Sequence, residues 1–152
     1  MRTGRGWRAW AAVLALAGAM AGPARADLKQ ALAEPNLEKR SKLALDNAEA
    51  AYQALRAAYD KGDNQQAAAA AKEIEESVDL AFTSLTDTGK DPRKSPKWFK
   101  RAEIETRDLL RRLNGFQQQM NFDDRPLVDA AKARLQQVHD SLLVGLMEGK
   151  RK

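Results

Sequence analysis

Apolar residues recur three and four positions apart over four long stretches of this chain, and no stretch alternates at the period of a strand. The first stretch, residues 37–61, places Leu45, Ala48, Tyr52, Leu55 and Tyr59 on one stripe. The second, 63–88, aligns Ala67, Ala71, Ile74, Val78, Phe82 and Leu85. In the third, 96–120, Trp98, Ala102, Leu109, Leu113, Phe116 and Met120 form the stripe, and Phe99 and Leu110 widen it. The fourth, 124–148, carries Val128, Ala131, Leu135, Val138, Leu142 and Leu146. Each is the pattern of a helix that buries one face.

The punctuation agrees with the pattern. Gly62 stops the first helix, and Asp63 caps the second with Gln66 at capping-box spacing. Gly89 ends the second helix, residues 90–94 form a linker, and Ser95-Pro96 reads as N-cap and first helical position, where proline's missing N–H costs nothing. Residues 121–125 make a polar turn, Asp123 or Asp124 with Pro126 opens the fourth helix, and Gly149 ends it. Helices of about 25 residues are roughly 37 Å long at the usual rise. Nearly equal rods joined by short turns predict an all-α fold, an antiparallel up-down-up-down four-helix bundle of two helical hairpins. Two hairpins stacked as a short solenoid are the alternative.

Ahead of the helices, Arg2, Arg5 and Arg8 lead into an apolar run over residues 9–21, then Gly22-Pro23 and Ala24-Arg25-Ala26. This is the layout of a secretory signal peptide with cleavage after Ala26. Arg8 and Arg25 bracket 16 residues, fewer than the roughly 20 that a spanning helix needs. The predicted organisation is therefore a leader at 1–26, a flexible mature amino terminus at 27–36, a four-helix domain at 37–149 and a basic tail at 150–152. The reading places the mature chain in the periplasm or outside the cell, with no transmembrane span after cleavage.

Cleavage changes the charge argument. The full chain carries +5, and the leader holds four arginines and no acid, so the mature chain is left at +1. Such near-neutrality argues against nucleic acid as a partner. Its two halves differ sharply: residues 27–88 hold 7 basic and 12 acidic side chains, and residues 89–152 hold 15 and 9. The hairpins are expected to attract each other across their exposed flanks. With no cysteine, the chain has no disulfide to stabilise it and no thiol to lipidate, and packing alone must hold it.

No constellation of catalytic residues stands out, so no catalytic, cofactor-binding or metal-ligating residues are expected and the chain reads as a non-enzyme. A nucleophile needs an adjacent base, and the one histidine, His139, follows the stripe residue Val138 and reads as solvent-facing or at a helix boundary. The neighbouring acids Glu75-Glu76 and Asp123-Asp124 diverge on a helix or serve as caps. The Glu-x-x-His motifs of di-iron bundles are missing. The mature start at Asp27-Leu28 with a late-helix His139 is similar to cytochrome b562-type haem bundles, but those use a methionine near the amino terminus, and here none precedes Met120 after the leader. The turn Tyr59-Asp60-Lys61-Gly62-Asp63, with Ala67 following, resembles the turn of a tetratricopeptide repeat. The rest of that pattern and its period of about 34 residues are missing.

What carries functional promise is the second linker and the start of the third helix: Lys90, Arg93, Lys94, Lys97, Lys100 and Arg101, with Trp98 and Phe99 among them. In an up-and-down bundle this turn shares a pole with Lys39, Arg40 and Lys42 and with the Lys150-Arg151-Lys152 tail. Cations in a first helical turn oppose the macrodipole, so the cluster has a local cost that an anionic partner offsets. The expected function is a binding, adaptor or chaperone-like module of the bacterial envelope. Its partner would be an acidic protein surface or an anionic lipid headgroup. A bundle that holds a small ligand or cofactor in its interior is the second reading. The small-residue run 67–71 offers a surface for close helix packing or for a homodimer.

Overall fold

The computed structural model describes residues 27–148. Residues 1–26, where the expected leader and cleavage site fall, and residues 149–152 with the expected basic tail lie outside the described residues. The described chain is helical, with no strand among the described residues: α1 (Lys29–Ala33), α2 (Leu37–Asp60), α3 (Asn64–Asp87), α4 (Pro96–Gln119), a 3-10 segment (Phe122–Val128) and α5 (Asp129–Glu148). The segment expected as a flexible lead-in, 27–36, thus holds a short helix whose Ala31 is buried.

Local chemistry explains the boundaries. The Asn36 side chain accepts from the Lys39 N–H at 3.0 Å and starts α2. Asp63 does the same for Gln66 and α3 at 3.0 Å. At the α2–α3 turn the Gly62 N–H donates to Tyr59 O, the Asp63 N–H donates to Ala58 O, and Gly62 adopts φ +73°. A side chain at Gly62 meets no neighbour, so Gly62→Ala pays only the left-handed backbone cost, about 1–2 kcal/mol. Gly115 lies inside α4 in equally open space with ordinary φ, so Gly115→Ala is expected to stabilise by about 0.5–1 kcal/mol. Chemical denaturation of the two variants, giving opposite signs, checks both expectations.

Pro96 opens α4 as the first helical residue, but the Ser95 side chain makes no capping bond. The 91–95 turn is organised instead by Asp91, whose carboxylate accepts from the Arg93 N–H at 2.9 Å and whose carbonyl accepts from the N–H groups of Lys94 and Ser95. The fourth long helix begins at Asp129 rather than near residue 124. Asp124 is not free to cap it: its carboxylate accepts from Tyr59 Oη and Asn64 Nδ2, both at 3.0 Å. Pro126 sits in the 3-10 segment that fills the difference. Gln117, buried on α4, holds that segment by donating to Arg125 O at 2.9 Å and Asp129 Oδ1 at 2.7 Å.

One core joins the four long helices. Leu55, Ile74, Val78, Leu85, Leu113, Val128, Leu135, Val138 and Leu142 are inaccessible or nearly so. α2 and α3 share the broadest interface, α4 packs on α5, α5 on α3, and α4 on α2. The α2–α3 seam is built from small side chains: Ser41, Ala44, Ala48, Ala51 and Ala58 on one side, Ala67, Ala71, Ser77, Ala81 and Ser84 on the other, all buried. Ala67 and Ala71 therefore face the core, and of the 67–71 run only Ala69 is exposed.

Candidate functional site

The linker after α3 and the first turns of α4 carry the predicted cations, and the structure divides them into committed and uncommitted groups. Lys90 ion-pairs with Glu38 at the start of α2 at 2.6 Å, and Arg101 with Glu105 one turn along α4 at 2.7 Å. Arg93, Lys94, Lys97 and Lys100 are exposed and form no ion pair with any described residue. The Lys97 ammonium lies 5.5 Å from the centre of the Trp98 ring. Trp98 is half-buried against the core, and Phe99 is buried within it. Of the cations expected at the same pole, Lys39 is exposed on α2 beside Glu38, Arg40 donates to Glu34 O at 2.8 Å, and Lys42 pairs with Asp46 at 2.5 Å.

Next to these cations lies an apolar surface that the sequence pattern did not single out. Leu143, Val144 and Met147 on the last turns of α5 are exposed, Met147 to 71%. Within the same turns, Gly145 lies against Pro92, whose Cγ is 3.3 Å from where a Cβ on Gly145 would sit. That contact fixes the end of α5 beside the 91–95 turn. The signal was present in the run Leu142-Leu143-Val144, which is wider than one buried stripe requires.

His139 is more enclosed than its position beside the stripe suggested, with a side chain 15% exposed. Its Nε2 lies 3.1 Å from Glu103 Oε1 on α4, and its Nδ1 lies 3.3 Å from Asp140 Oδ1. Glu103, itself buried, also accepts from Arg107 at 3.2 Å. These polar contacts tie α4 to α5. Among the described residues, no group of three or more His, Cys, Asp or Glu side chains converges as a metal site. A groove of about 470 Å³ beside α1 is lined by Asp27, Gln30, Ala31, Leu43, Asp46 and Asn47.

The two halves do meet through opposite charges. Lys90–Glu38, Arg112–Glu49 and Arg134–Asp79 each join a basic side chain of the second half to an acid of the first. Arg111 and Arg107 instead pair with acids of their own helix, Asp108 and Glu103. The Arg112 guanidinium engages both oxygens of Glu49 and stacks 5.2 Å from the Tyr52 ring centre. Hydrogen bonding from Arg112 holds the Glu49 carboxyl below its usual range against an opposing effect of burial, and Glu49 in turn raises Arg112.

A carboxyl with a lowered folded-state pKa stabilises the fold above its unfolded value, and that contribution is lost as acid titrates it through the folded value. Both side chains are 40% exposed, so the pair contributes under about 1 kcal/mol. Glu49→Gln is therefore expected to cost that much at neutral pH and to converge with the parent chain below the usual carboxylate range. Thermal unfolding of both chains across pH checks this, and a gap that widens in acid contradicts it.

Among the described residues no helix is long and apolar enough to cross a membrane. No protein-family model, curated protein or solved structure matches the chain.

Proposed function

We propose that this chain is exported, is cleaved after Ala26, and works as a non-enzymatic binding or adaptor module of the bacterial envelope, with a chaperone-like mode of surface capture. In this reading the helices run up-down-up-down. The α4–α5 contacts support that order: Gln117 meets Asp129, Glu103 meets His139, and Pro92, just before α4, meets Gly145. Lys90 beyond α3 meets Glu38 at the start of α2, as an antiparallel first hairpin requires.

The observation that carries the functional reading is the cluster of four exposed cations, Arg93, Lys94, Lys97 and Lys100, with no acid partner among the described residues, at the end of the bundle where α5 also exposes aliphatic side chains. Some basic groups elsewhere on the bundle are paired, Arg112 with Glu49, Arg134 with Asp79 and Lys42 with Asp46, and what distinguishes these four is that they lie together within eight residues of chain. Concentrated, uncommitted positive charge beside apolar surface is the composition of a recognition patch for an anionic partner. Signal-peptide features in the first 26 residues support export.

The test replaces Lys94, Lys97, Lys100 and Arg101 with Gln. The fold is expected to persist, because all four side chains are exposed, while partner capture from envelope extracts falls to background. Unchanged capture by a folded variant refutes the pole as the binding surface.

A further inference from the structure

We propose that this pole docks on an anionic lipid bilayer, an inference that rests on the reading of the pole as the binding end and names its partner. Leu143, Val144 and Met147 lie at i, i+1 and i+4, so they share one side of α5, and all three are exposed in its last turns. Leu143 lies one turn beyond His139, which meets Glu103 on α4, so the patch lies on the α4 side of α5, while Gly145 meets Pro92 on the far side of the helix. Aliphatic tips at an end that also carries exposed cations suit the boundary between headgroups and acyl chains, where both kinds of side chain are satisfied together. Trp98, half-buried with the Lys97 ammonium over its ring, has the amphipathic character of an interfacial anchor.

Charge type favours lipid over a structured acidic partner. Three of the four uncommitted cations are lysines, compact charges on flexible stems that adapt to a diffuse layer of headgroups. Fixed carboxylate recognition instead uses the rigid fork of arginine, and Arg101, the arginine on α4 at this pole, is already engaged by Glu105. The opposite end of the bundle carries Asp60, Asp63, Asp123 and Asp124 together with Lys61 and Arg125, and there the exposed Phe122 has the Arg125 guanidinium 5.8 Å from its ring centre. An anionic surface attracts the lysine-rich end most strongly, so the bundle docks with the end of α5 and the start of α4 toward the lipid.

The test uses the chain beginning at Asp27, the product of the proposed cleavage, and repeats the comparison with the complete chain. Flotation with vesicles of phosphatidylglycerol mixed with phosphatidylcholine is compared with phosphatidylcholine alone. Binding is expected to the anionic vesicles only, to weaken with salt, and to shift the emission of Trp98, the sole tryptophan after residue 26, to the blue. At roughly fivefold per cation near an anionic surface, replacing Arg93, Lys94, Lys97 and Lys100 together with Gln lowers affinity by two to three orders of magnitude. Replacing Leu143, Val144 and Met147 with Ser lowers it about tenfold or more with the salt dependence retained. Phe122→Ser, at the opposite end, leaves it unchanged, and circular dichroism verifies that each variant is folded.

Equal binding to both vesicle types, or anionic binding that survives loss of the four cations, overturns the proposal. Absence of vesicle binding together with pole-dependent capture of an acidic protein overturns the lipid assignment and leaves the binding module standing. If neither vesicles nor extract proteins depend on the pole, both readings fail.

Discussion

Phe116→Ala is expected to destabilise the protein by roughly 3–5 kcal/mol, the range for truncating a buried aromatic side chain. Phe116 is the hub of an aromatic cluster. Tyr59 meets it edge-on at 5.6 Å between centroids and Tyr52 at 6.4 Å, and the Arg56 guanidinium lies 6.0 Å from its ring centre. The effect extends past its own cavity, because Tyr59 also donates to Asp124 and accepts from the Asn121 N–H at 2.9 Å, tying α2 to the chain beyond α4. Urea denaturation followed by far-ultraviolet circular dichroism measures the cost. Phe116→Leu keeps most of the volume and is expected to cost less than half as much; equal costs for both variants would show that ring packing is not what holds the cluster.

Ala48→Leu is the second large effect, and it acts by excess volume. Ala48 is fully buried in the small-residue seam of α2 and α3. Three added carbons cannot enter without separating the helices or forcing strained rotamers, which costs typically 1–3 kcal/mol. Ala69→Leu adds the same atoms on an exposed part of α3 and is expected to change stability by no more than about 0.5 kcal/mol. A matched pair of melting curves decides the matter, and a harmless Ala48→Leu would mean the seam is not closely packed.

Most of the core was legible because burial here follows the three-four spacing. Leu45, Tyr52, Ile74, Val78, Leu113, Leu135 and Leu142 fall on the predicted stripes and are buried. What spacing did not reveal is the second row of small residues. Ala44, Ala51, Ser77 and Ser84 are as enclosed as the leucines, but alanine and serine are equally at home on a helix surface and give no periodic signal. Glu103 and Gln117 were illegible for a related reason. Their burial depends on partners distant in sequence, His139 for one, the 3-10 segment and Lys132 for the other. Asp124 was read as a cap because local chemistry permits it, whereas its partners on α2 and α3 prevail.

For the candidate site the sequence located the cations but not their state. Lys90 and Arg101 looked like their neighbours in a charge run, and only the placement of Glu38 and Glu105 separates them from Lys94, Lys97 and Lys100. Leu143, Val144 and Met147 were masked by the buried stripe running beside them through Leu142 and Leu146.

In-cell photo-crosslinking tests the central claim most directly, because it reports which end of the bundle touches a partner regardless of what that partner is. A photoactivatable residue is placed at Lys97, at Val144, at the exposed Phe122 of the other end and at the exposed Ala69 on α3. The account predicts adducts from positions 97 and 144, and none above background from 122 or 69. Adducts from 122 or 69 with none from 97 and 144, or none from any position, contradict it.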